Sequence, residues 1–292
     1  MKTKVYINIP AKAVAGGVES LFQLADAINN SGGESIVLWD FVSSNPIPEK
    51  YRNYNIQHSK EVEDRNDNWI IYPEVWTEKI HTFQNLKKAI WWLSVDNNHG
   101  KFNEFDNSSI THFYQSYYAL DFLLKKGVEK YLPLFDYVSE KYTNSVFEIS
   151  QKRDIVCYNP VKGREITSQI ISQNPNIKFV PIVGLNEEQI IELLKTSKIY
   201  IDFGHHPGRD RIPRESAILG NCVITNLSGS AEFYNDVPVS KKYKITDINK
   251  VGELINHFFE NFDLTIEEYS LYRLMVKNQK EQLYNQVKQY FI

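Results

Sequence analysis

Hydrophobic and polar positions follow two periods along the chain, which predicts short buried strands and amphipathic helices in turn. Apolar runs at 4–9 and 35–39 flank the stretch 18–30, where apolar residues recur at helical spacing. The sequence Ser31-Gly-Gly33 ends that helix, as glycine commonly does. A strand, a loop, a helix and a second strand in this order form the building block of a parallel sheet.

The same alternation continues to the end of the chain, in two series separated by a polar stretch at 140–152. Further strands are predicted at 68–73, 89–94, 111–115, 154–158, 178–183, 199–203 and 221–225. Further helices are predicted at 118–126, 164–172, 187–194, 213–220 and 248–259, and from Thr265 to about Tyr290. Thr265 and Glu268 at the start of this last helix have the spacing of a capping box.

These elements predict an α/β protein with two Rossmann-like domains, at 1–150 and 151–270, whose parallel sheets face each other across a cleft. The segment 271–292 is expected to return as a helix to the first domain.

Composition narrows the class of protein. A hydrophobic content of 42% supports real cores, and a net charge of −3 argues against general nucleic-acid binding. The sequence has no 18-residue apolar run of the kind that crosses a membrane. Cys157 and Cys222 lie in strand-like runs, where small buried residues are expected rather than a disulfide, which fits a reducing cytosol.

The segment from Ile201 to Glu215 concentrates charged residues and glycines between a strand and a helix. Such a turn is where α/β sheets bind ligands, and a helix N-terminus offers N–H groups and a positive dipole to phosphate. Arginines add forked donors, and the Glu215 carboxylate has two oxygens to accept sugar hydroxyls. The alternative is a loop held by surface salt bridges. The candidate residues are His205, His206, Gly208, Arg209, Asp210, Arg211 and Glu215.

Two glycines in Ala15-Gly-Gly-Val-Glu19, Gly16 and Gly17, follow the first strand and open a helix. They would let a ligand approach the backbone, although a simple glycine turn is an equal alternative. In the second series, Lys162 and Arg164 follow the strand 154–158 and have the charge to bind a diphosphate, which by itself is a weak signal.

Polar residues also follow the strand 89–94. Asp96 and His99 lie just after Trp91 and Trp92, an arrangement that suits sugar recognition. The two tryptophans are more readily explained as core residues on opposite faces of a sheet, because neighbouring strand residues point in opposite directions.

The sequence lacks a Walker A loop, H-E-x-x-H, C-x-x-C, G-x-G-x-x-G and D-x-D. The missing D-x-D argues against a diphosphate site bridged by a metal ion. Adjacent histidines such as His205 and His206 rarely ligate one ion together, and no third ligand is evident. We therefore expect no metal site and no cofactor.

Taken together, these motifs resemble those of GT-B glycosyltransferases, especially the retaining enzymes related to family 4. The resemblance covers most of the chain. It consists of Ala15-Gly-Gly-Val-Glu19, Gln115-Ser-Tyr-Tyr-Ala119, Asn159-Pro-Val-Lys-Gly163, the segment from Gly204 to Glu215, and Gly229-Ser-Ala-Glu232.

The resemblance implies roles for individual residues. In that family the donor loop carries two glutamates eight residues apart, and the second binds the nucleotide ribose. Glu215 matches the second, but Pro207 stands at the position of the first. His205, His206 and Asp210 are then the candidates for the missing sugar contacts. This departure leaves the donor sugar and the retention of configuration open.

The family's glycine loop corresponds to Gly16 and Gly17, near the donor phosphate and the acceptor, and its phosphate-binding lysine corresponds to Lys162. Its partner arginine has no clear match, and Arg209 and Arg211 are the candidates.

The resemblance further implies that an N-terminal acceptor-binding domain and a C-terminal nucleotide-sugar-binding domain transfer a sugar to a glycan or lipid-linked acceptor without a metal. No catalytic base is identified. If the enzyme inverts, Asp96 or His99 is the first candidate.

A composition rich in Asn, Ile, Lys and Tyr is associated with bacterial surface-polysaccharide enzymes. We expect a cytoplasmic protein, with a peripheral contact at the inner face of the membrane and the oligomeric state left open. The alternatives are a nucleotide-sugar epimerase or phosphorylase of the same fold and a catalytically degenerate GT-B partner subunit.

Overall fold

The computed structural model describes residues 2–39 and 47–292, and this part of the chain forms two parallel β-sheets with helices. The strands are β1 (Lys4–Ile9), β2 (Glu34–Trp39), β3 (Gln57–His58), β4 (Trp69–Pro73), β5 (Lys87–Trp92), β6 (Ile110–Tyr114), β7 (Tyr131–Pro133), β8 (Arg153–Tyr158), β9 (Lys178–Pro181), β10 (Ser197–Asp202) and β11 (Cys222–Thr225). The helices are α1 (Gly16–Asn30), α2 (Tyr117–Lys125), α3 (Glu140–Thr143), α4 (Arg164–Gln173), α5 (Glu187–Thr196), α6 (Arg211–Ile218), α7 (Val251–Glu260), α8 (Phe262–Thr265), α9 (Ser270–Lys277) and α10 (Gln279–Phe291). The prediction of an α/β protein with two parallel sheets is confirmed.

The chain folds as two compact units. The first comprises the described residues up to Tyr137 together with Pro207–Arg209 and Gln279–Ile292. The second comprises Val138–His206 and Asp210–Asn278. The first unit therefore ends before the polar stretch 140–152, where the sequence suggested a junction, and it includes two short segments from later in the chain.

The described strands of the first unit form one sheet in the order β3-β2-β1-β4-β5-β6-β7, with every neighbouring pair parallel. Apolar side chains cover both faces of this sheet. Trp91 packs in the cluster with α1 and α10, and Trp92 packs in the cluster on the other face. Both indoles are fully buried, which confirms that these tryptophans are core residues.

Helix α10 completes the first unit by packing on α1. Leu283, Val287 and Phe291 are buried in the same cluster as the apolar side of α1. Phe291 also meets Trp69 edge-to-face, with 5.6 Å between ring centroids. The Gln286 side chain accepts a hydrogen bond from the backbone N–H of Phe135 at 3.0 Å, which ties this helix to the segment after β7.

The described strands of the second unit form a parallel sheet in the order β11-β10-β8-β9. Its core includes fully buried Val156, Ile199 and Val223 from neighbouring strands. Cys157 and Cys222 are buried and are not joined in a disulfide, as the sequence predicted. The carboxyl ends of these parallel strands meet at one edge of the sheet, and the segments that follow β8 and β10 lie there.

The long final helix was predicted wrongly. The structure divides it into a 3₁₀ turn at Ile266–Tyr269, then α9 and α10, with the break at Asn278. The capping box is absent because Thr265 Oγ1 donates to the carbonyl of Asn261 at 2.9 Å. Glu268 instead accepts a hydrogen bond from the Tyr243 hydroxyl. The short edge strand β3 was not predicted.

Candidate active site

The loops after β8 and β10 lie at the carboxyl edge of the second sheet and contact each other at Gly163 and Gly204. A Cβ on Gly204, in the loop after β10, would lie 2.5 Å from the Cβ of Lys162, in the loop after β8. A Cβ on Gly163, which has a φ of +61°, would lie 2.5 Å from the carbonyl carbon of Phe203. Only glycine permits so close an approach of backbones. The approach places Lys162 beside the charged residues of the loop after β10.

Four charged or polar side chains of these loops form a chain. The Lys162 ammonium lies 2.5 Å from Asp210 Oδ2, and the same oxygen lies 2.8 Å from His206 Nδ1. On the other side of the imidazole ring, His206 Nε2 lies 3.6 Å from Asp202 Oδ1. We call Lys162, Asp210, His206 and Asp202 the charge chain. His206 is fully buried, whereas the side chains of Lys162 and Asp210 are 33% and 20% exposed, so the chain runs from the surface inward.

Asp202, His206 and Asp210 lie close enough together to be considered as metal ligands. One ligand atom from each of these residues lies within 4.8 Å of the other two. The Lys162 ammonium occupies the cation position beside Asp210. Lys162 and His206 thus both pair with the Asp210 carboxylate.

The charge chain shifts the pKa values of its members. Burial lowers the pKa of His206, but the hydrogen bond to Asp210 and the charges of Asp202 and Asp210 outweigh it, so the pKa is raised from its ordinary value. Burial raises the pKa of Asp210, but His206 and Lys162 outweigh it, so that pKa is lowered. Both shifts therefore favour the charged form of the group.

His205 is directed differently from its neighbour. Its side chain is exposed, and its Nδ1 lies 2.8 Å from the hydroxyl oxygen of Ser228. The hydrogen bond fixes the ring and leaves Nε2 as the nitrogen directed away from Ser228. Of the two adjacent histidines, His205 is the exposed one.

Gly208 and Arg209 belong to the first unit. Gly208 forms an antiparallel bridge with Ser94, and a Cβ at Gly208 would lie 2.0 Å from the carbonyl oxygen of Leu93. The Arg209 guanidinium carbon lies 5.1 Å from the centroid of the Phe135 ring, and Arg209 is 7% exposed. These residues have local packing contacts in addition to the ligand role that the sequence suggested.

Glu215 lies deeper in its helix than the predicted helix 213–220 implied. Helix α6 begins at Arg211, so Glu215 lies in its second turn, where the helix dipole has little effect. Glu215 is also only 8% exposed. Arg211 is the first residue of α6, and Arg164 is the exposed first residue of α4.

The predicted glycine pair opens α1 at the carboxyl edge of the first sheet. Gly16 is exposed and is the first residue of the helix, which has no side-chain cap at Ala15. A Cβ at Gly17 would meet only the Leu93 side chain, at 3.5 Å, which is an ordinary contact. The fold therefore does not require glycine at position 17, which leaves ligand approach as a reason for it.

Asp96 and His99 lie in and after a 3₁₀ turn, Val95–Asn98, that follows β5. Both side chains are exposed, and the Tyr118 hydroxyl lies 3.2 Å and 3.3 Å from the two Asp96 oxygens. The turn is anchored because the Asn98 amide nitrogen donates to the carbonyl of Glu74 at 2.8 Å. His99 has a φ of +51°, an uncommon conformation for a residue other than glycine.

Sequence reasoning missed Asp202, Ser228 and Glu74. Asp202, His206 and Asp210 are spaced four residues apart, and this spacing was the available signal for the charge chain. Ser228 is near His205 only because of the fold. Glu74 is a single carboxylate after β4 and carries no motif.

Comparison with known proteins gives a fold and no closer relationship. No family model matches the sequence, and no curated protein matches it. Among solved structures, HepE of Anabaena, in complex with UDP and glucose, is similar with a TM-score of 0.72 and 11% identity over 99% of both chains. Sucrose-phosphate synthase of Thermosynechococcus elongatus has a TM-score of 0.68 and 11% identity over 99% of this chain and 98% of that one.

WaaG, a glycosyltransferase involved in lipopolysaccharide biosynthesis, has a TM-score of 0.63 and 8% identity over 97% of this chain and 99% of that one. The resemblance drawn from the sequence motifs is thus confirmed at the level of the fold, which is that of GT-B glycosyltransferases.

Proposed function

We propose that the chain is a glycosyltransferase that moves a sugar from a nucleoside diphosphate sugar to a glycan or lipid-linked acceptor. The observation that carries the proposal is the loop after β10. It brings Asp210, Lys162 and exposed His205 to the carboxyl edge of a parallel sheet in a chain with the GT-B fold. UDP in the HepE complex makes a uridine nucleotide the first donor to test.

The second unit is assigned the nucleotide-sugar. Lys162 and Arg164 bind the diphosphate together with the N–H groups at the start of α6 and α4. Glu215 accepts hydrogen bonds from the ribose hydroxyls. His205 and Asp210 contact the sugar in place of the glutamate that Pro207 replaces.

The first unit is assigned the acceptor. The backbone of Gly16 and Gly17 is assigned a contact with the ligand, and Asp96 or His99 supplies a general base if the configuration is inverted. Arg209 or Arg211 takes the place of the family's phosphate-binding arginine.

These residues would assist sugar transfer by stabilising charge on the leaving diphosphate. As the bond from the sugar carbon to the diphosphate oxygen breaks, negative charge develops on the diphosphate. The Lys162 ammonium and the helix N–H groups stabilise that charge because they are already oriented. The acceptor hydroxyl forms the new bond to the sugar carbon, and its proton passes to Asp96 or His99 if the configuration is inverted and otherwise to the departing diphosphate.

The proposal also includes a cellular location for the reaction and a class of acceptor. Among the described residues no helix combines the length and hydrophobicity needed to span a bilayer. We place the reaction in the cytoplasm, with a peripheral contact at the inner face of the membrane where the acceptor is lipid-linked. WaaG, which acts in lipopolysaccharide biosynthesis, motivates bacterial surface polysaccharide as the acceptor class to test.

A screen of thermal stability against nucleoside diphosphates and nucleotide-sugars tests the proposal. A ligand at 100 times its dissociation constant adds about 2.7 kcal/mol to stability. Ligands that stabilise the protein are then assayed for sugar transfer with and without acceptor glycans. Transfer that requires an acceptor supports the proposal, and an epimerised donor identifies an epimerase. Nucleotide binding without turnover of any donor identifies a degenerate partner subunit, and the absence of any nucleotide binding overturns the proposal.

A further inference from the structure

Asp202 and His206, the buried members of the charge chain, are each held in place by contacts within the second unit. The Tyr200 hydroxyl donates to Asp202 Oδ2 at 2.8 Å, and the backbone N–H of Gly204 donates to Asp202 Oδ1 at 3.1 Å. The backbone of His206 is held by a bridge to Gly229. An imidazole that is completely buried between two such carboxylates is not placed to touch a substrate, although the sequence suggested His206 as a catalytic residue.

The charges explain why an imidazole is needed at this position. Within the charge chain, a neutral His206 leaves two carboxylates against one ammonium, which is an excess of one negative charge. With a protonated His206 the charge chain is neutral overall. Because Nδ1 lies 2.8 Å from Asp210 Oδ2 and Nε2 lies 3.6 Å from Asp202 Oδ1, a protonated ring places its positive charge between the two carboxylates.

We propose that His206 is a positioning residue that carries a positive charge between Asp202 and Asp210. It thereby holds Asp210 and Lys162 as a fixed pair, without excess negative charge, for the nucleotide-sugar. This inference rests on the proposed function. It replaces a direct catalytic role for His206 with one that acts through Asp210.

The proposal makes nucleotide binding depend on pH in one direction. The titratable groups that act on the ring are Asp202 from β10, Asp210 from the loop and Lys162 from the loop after β8. Behind them, the Tyr200 hydroxyl donates to Asp202, and Arg214 Nε of α6 donates to the carbonyl of Asp210 at 3.1 Å. As pH rises through the raised pKa of His206, the ring loses its proton and the charge chain becomes negative. Affinity for an anionic diphosphate then falls by roughly tenfold, the effect of one charge about 10 Å away at an effective dielectric constant of about 20.

Asp202→Asn is the decisive variant because it alters the ring without changing the groups assigned to the ligand. An asparagine keeps the acceptor for the Gly204 N–H and can donate to the Tyr200 hydroxyl, so the local hydrogen bonds survive. Loss of the Asp202 charge lowers the pKa of His206. Asp154→Asn, at an exposed carboxylate that pairs with Lys198, is the matched control in the same unit.

The experiment measures two quantities in wild type and both variants from pH 5 to 9. The first is the titration of His206 by NMR of histidine-labelled protein, with the signal assigned from its loss in His206→Asn. The second is the affinity for UDP by calorimetry. We expect His206 to titrate above 6.5 in wild type and at lower pH in Asp202→Asn, and the pH at which UDP affinity falls to shift with it. The control is expected to match wild type.

Three outcomes would overturn the proposal. They are a His206 that stays neutral over the whole range, a UDP affinity that does not follow the titration of His206, and an Asp202→Asn variant with an unchanged profile but a lower melting temperature. If UDP does not bind wild type at any pH, the assigned donor fails, while the NMR titration still decides whether His206 is charged between the carboxylates.

Discussion

The buried carboxylate of Glu74 accepts a hydrogen bond from the backbone N–H of Leu93, with 3.0 Å between Oε2 and N. Glu74 is only 3% exposed, and burial raises its pKa from 4.5 to about 7 although backbone N–H groups oppose the shift. Leu93 is also the residue against whose carbonyl Gly208 packs. A titrating carboxylate thus supports the end of β5, next to the turn that carries Asp96.

A folded-state pKa above the unfolded value means that the folded protein binds the proton more tightly. The stabilisation is complete below pH 4.5 and is lost as pH rises through about 7, a change of roughly 3 kcal/mol. We expect Glu74→Gln to remove this loss. All five tryptophans of the chain lie in the first unit, so urea unfolding followed by tryptophan fluorescence at pH 5 and pH 8 reports on it. Exposed Glu129→Gln should keep the wild-type dependence, and equal dependence in Glu74→Gln would contradict the assignment.

Two glycine-to-alanine variants in the first unit should behave in opposite ways. Alanine at Gly208 would place its Cβ 2.0 Å from the Leu93 carbonyl oxygen, so the backbone must shift, and we expect a loss of about 1–3 kcal/mol in the free energy of unfolding. Alanine at Gly17 meets only an ordinary contact at 3.5 Å, and the fold should tolerate it. If the Gly16–Gly17 backbone approaches the ligand, Gly17→Ala still loses turnover. Unchanged stability of Gly208→Ala would argue against this packing.

Glu215→Gln tests the ribose assignment. Charge-assisted hydrogen bonds are roughly twice as strong as neutral ones, so the variant should weaken nucleotide-sugar use by about 1.5–3 kcal/mol. Because Glu215 is 8% exposed, some loss of stability is also expected, and melting temperature and UDP affinity must be measured on the same sample. A destabilised variant that binds UDP normally would show that Glu215 is structural.

Removal of metal ions should leave transfer unchanged. The Lys162 ammonium already pairs with Asp210, and the sequence lacks the D-x-D motif of diphosphate sites bridged by a metal ion. We expect equal initial rates with and without EDTA. Activity that EDTA abolishes and manganese restores would contradict this expectation.

The configuration of the product decides the role of the turn after β5. If the product is inverted, Asp96→Asn or His99→Ala should lower turnover by about 10²–10⁴-fold, the usual contribution of a general base. Tyr118→Phe removes the hydroxyl near Asp96 and keeps the ring, so it serves as the control for local packing. NMR of the anomeric proton gives the configuration. An inverted product with normal turnover in both variants would exclude both residues as the base.

The strand and helix pattern could be predicted from the sequence because each element has its own hydrophobic period. The break at Asn278 could not, because α9 and α10 have similar apolar patterns but bury them in different cores. Tyr272 and Val276 pack in the second unit, whereas Leu283 and Val287 pack in the first. A sequence pattern shows that a residue is buried and not which core buries it.

The segment from Ile201 to Glu215 could also be predicted as a site, because it concentrates charged residues and glycines within a short stretch. The burial of His206 and the pairing of Lys162 with Asp210 could not, because they depend on two loops that meet at Gly163 and Gly204. Contacts between residues about 40 positions apart leave no local signal.

The position of α10 on α1 has a consequence for synthesis. The apolar side of α1 is made early, but its partners Leu283, Val287 and Phe291 are made only after the whole second unit. The second unit has no such dependence, since its described residues end at Asn278. Although domains made first usually fold first, we expect the order to be reversed in this chain. The nascent first unit would then remain open to chaperones until the segment 279–292 has emerged.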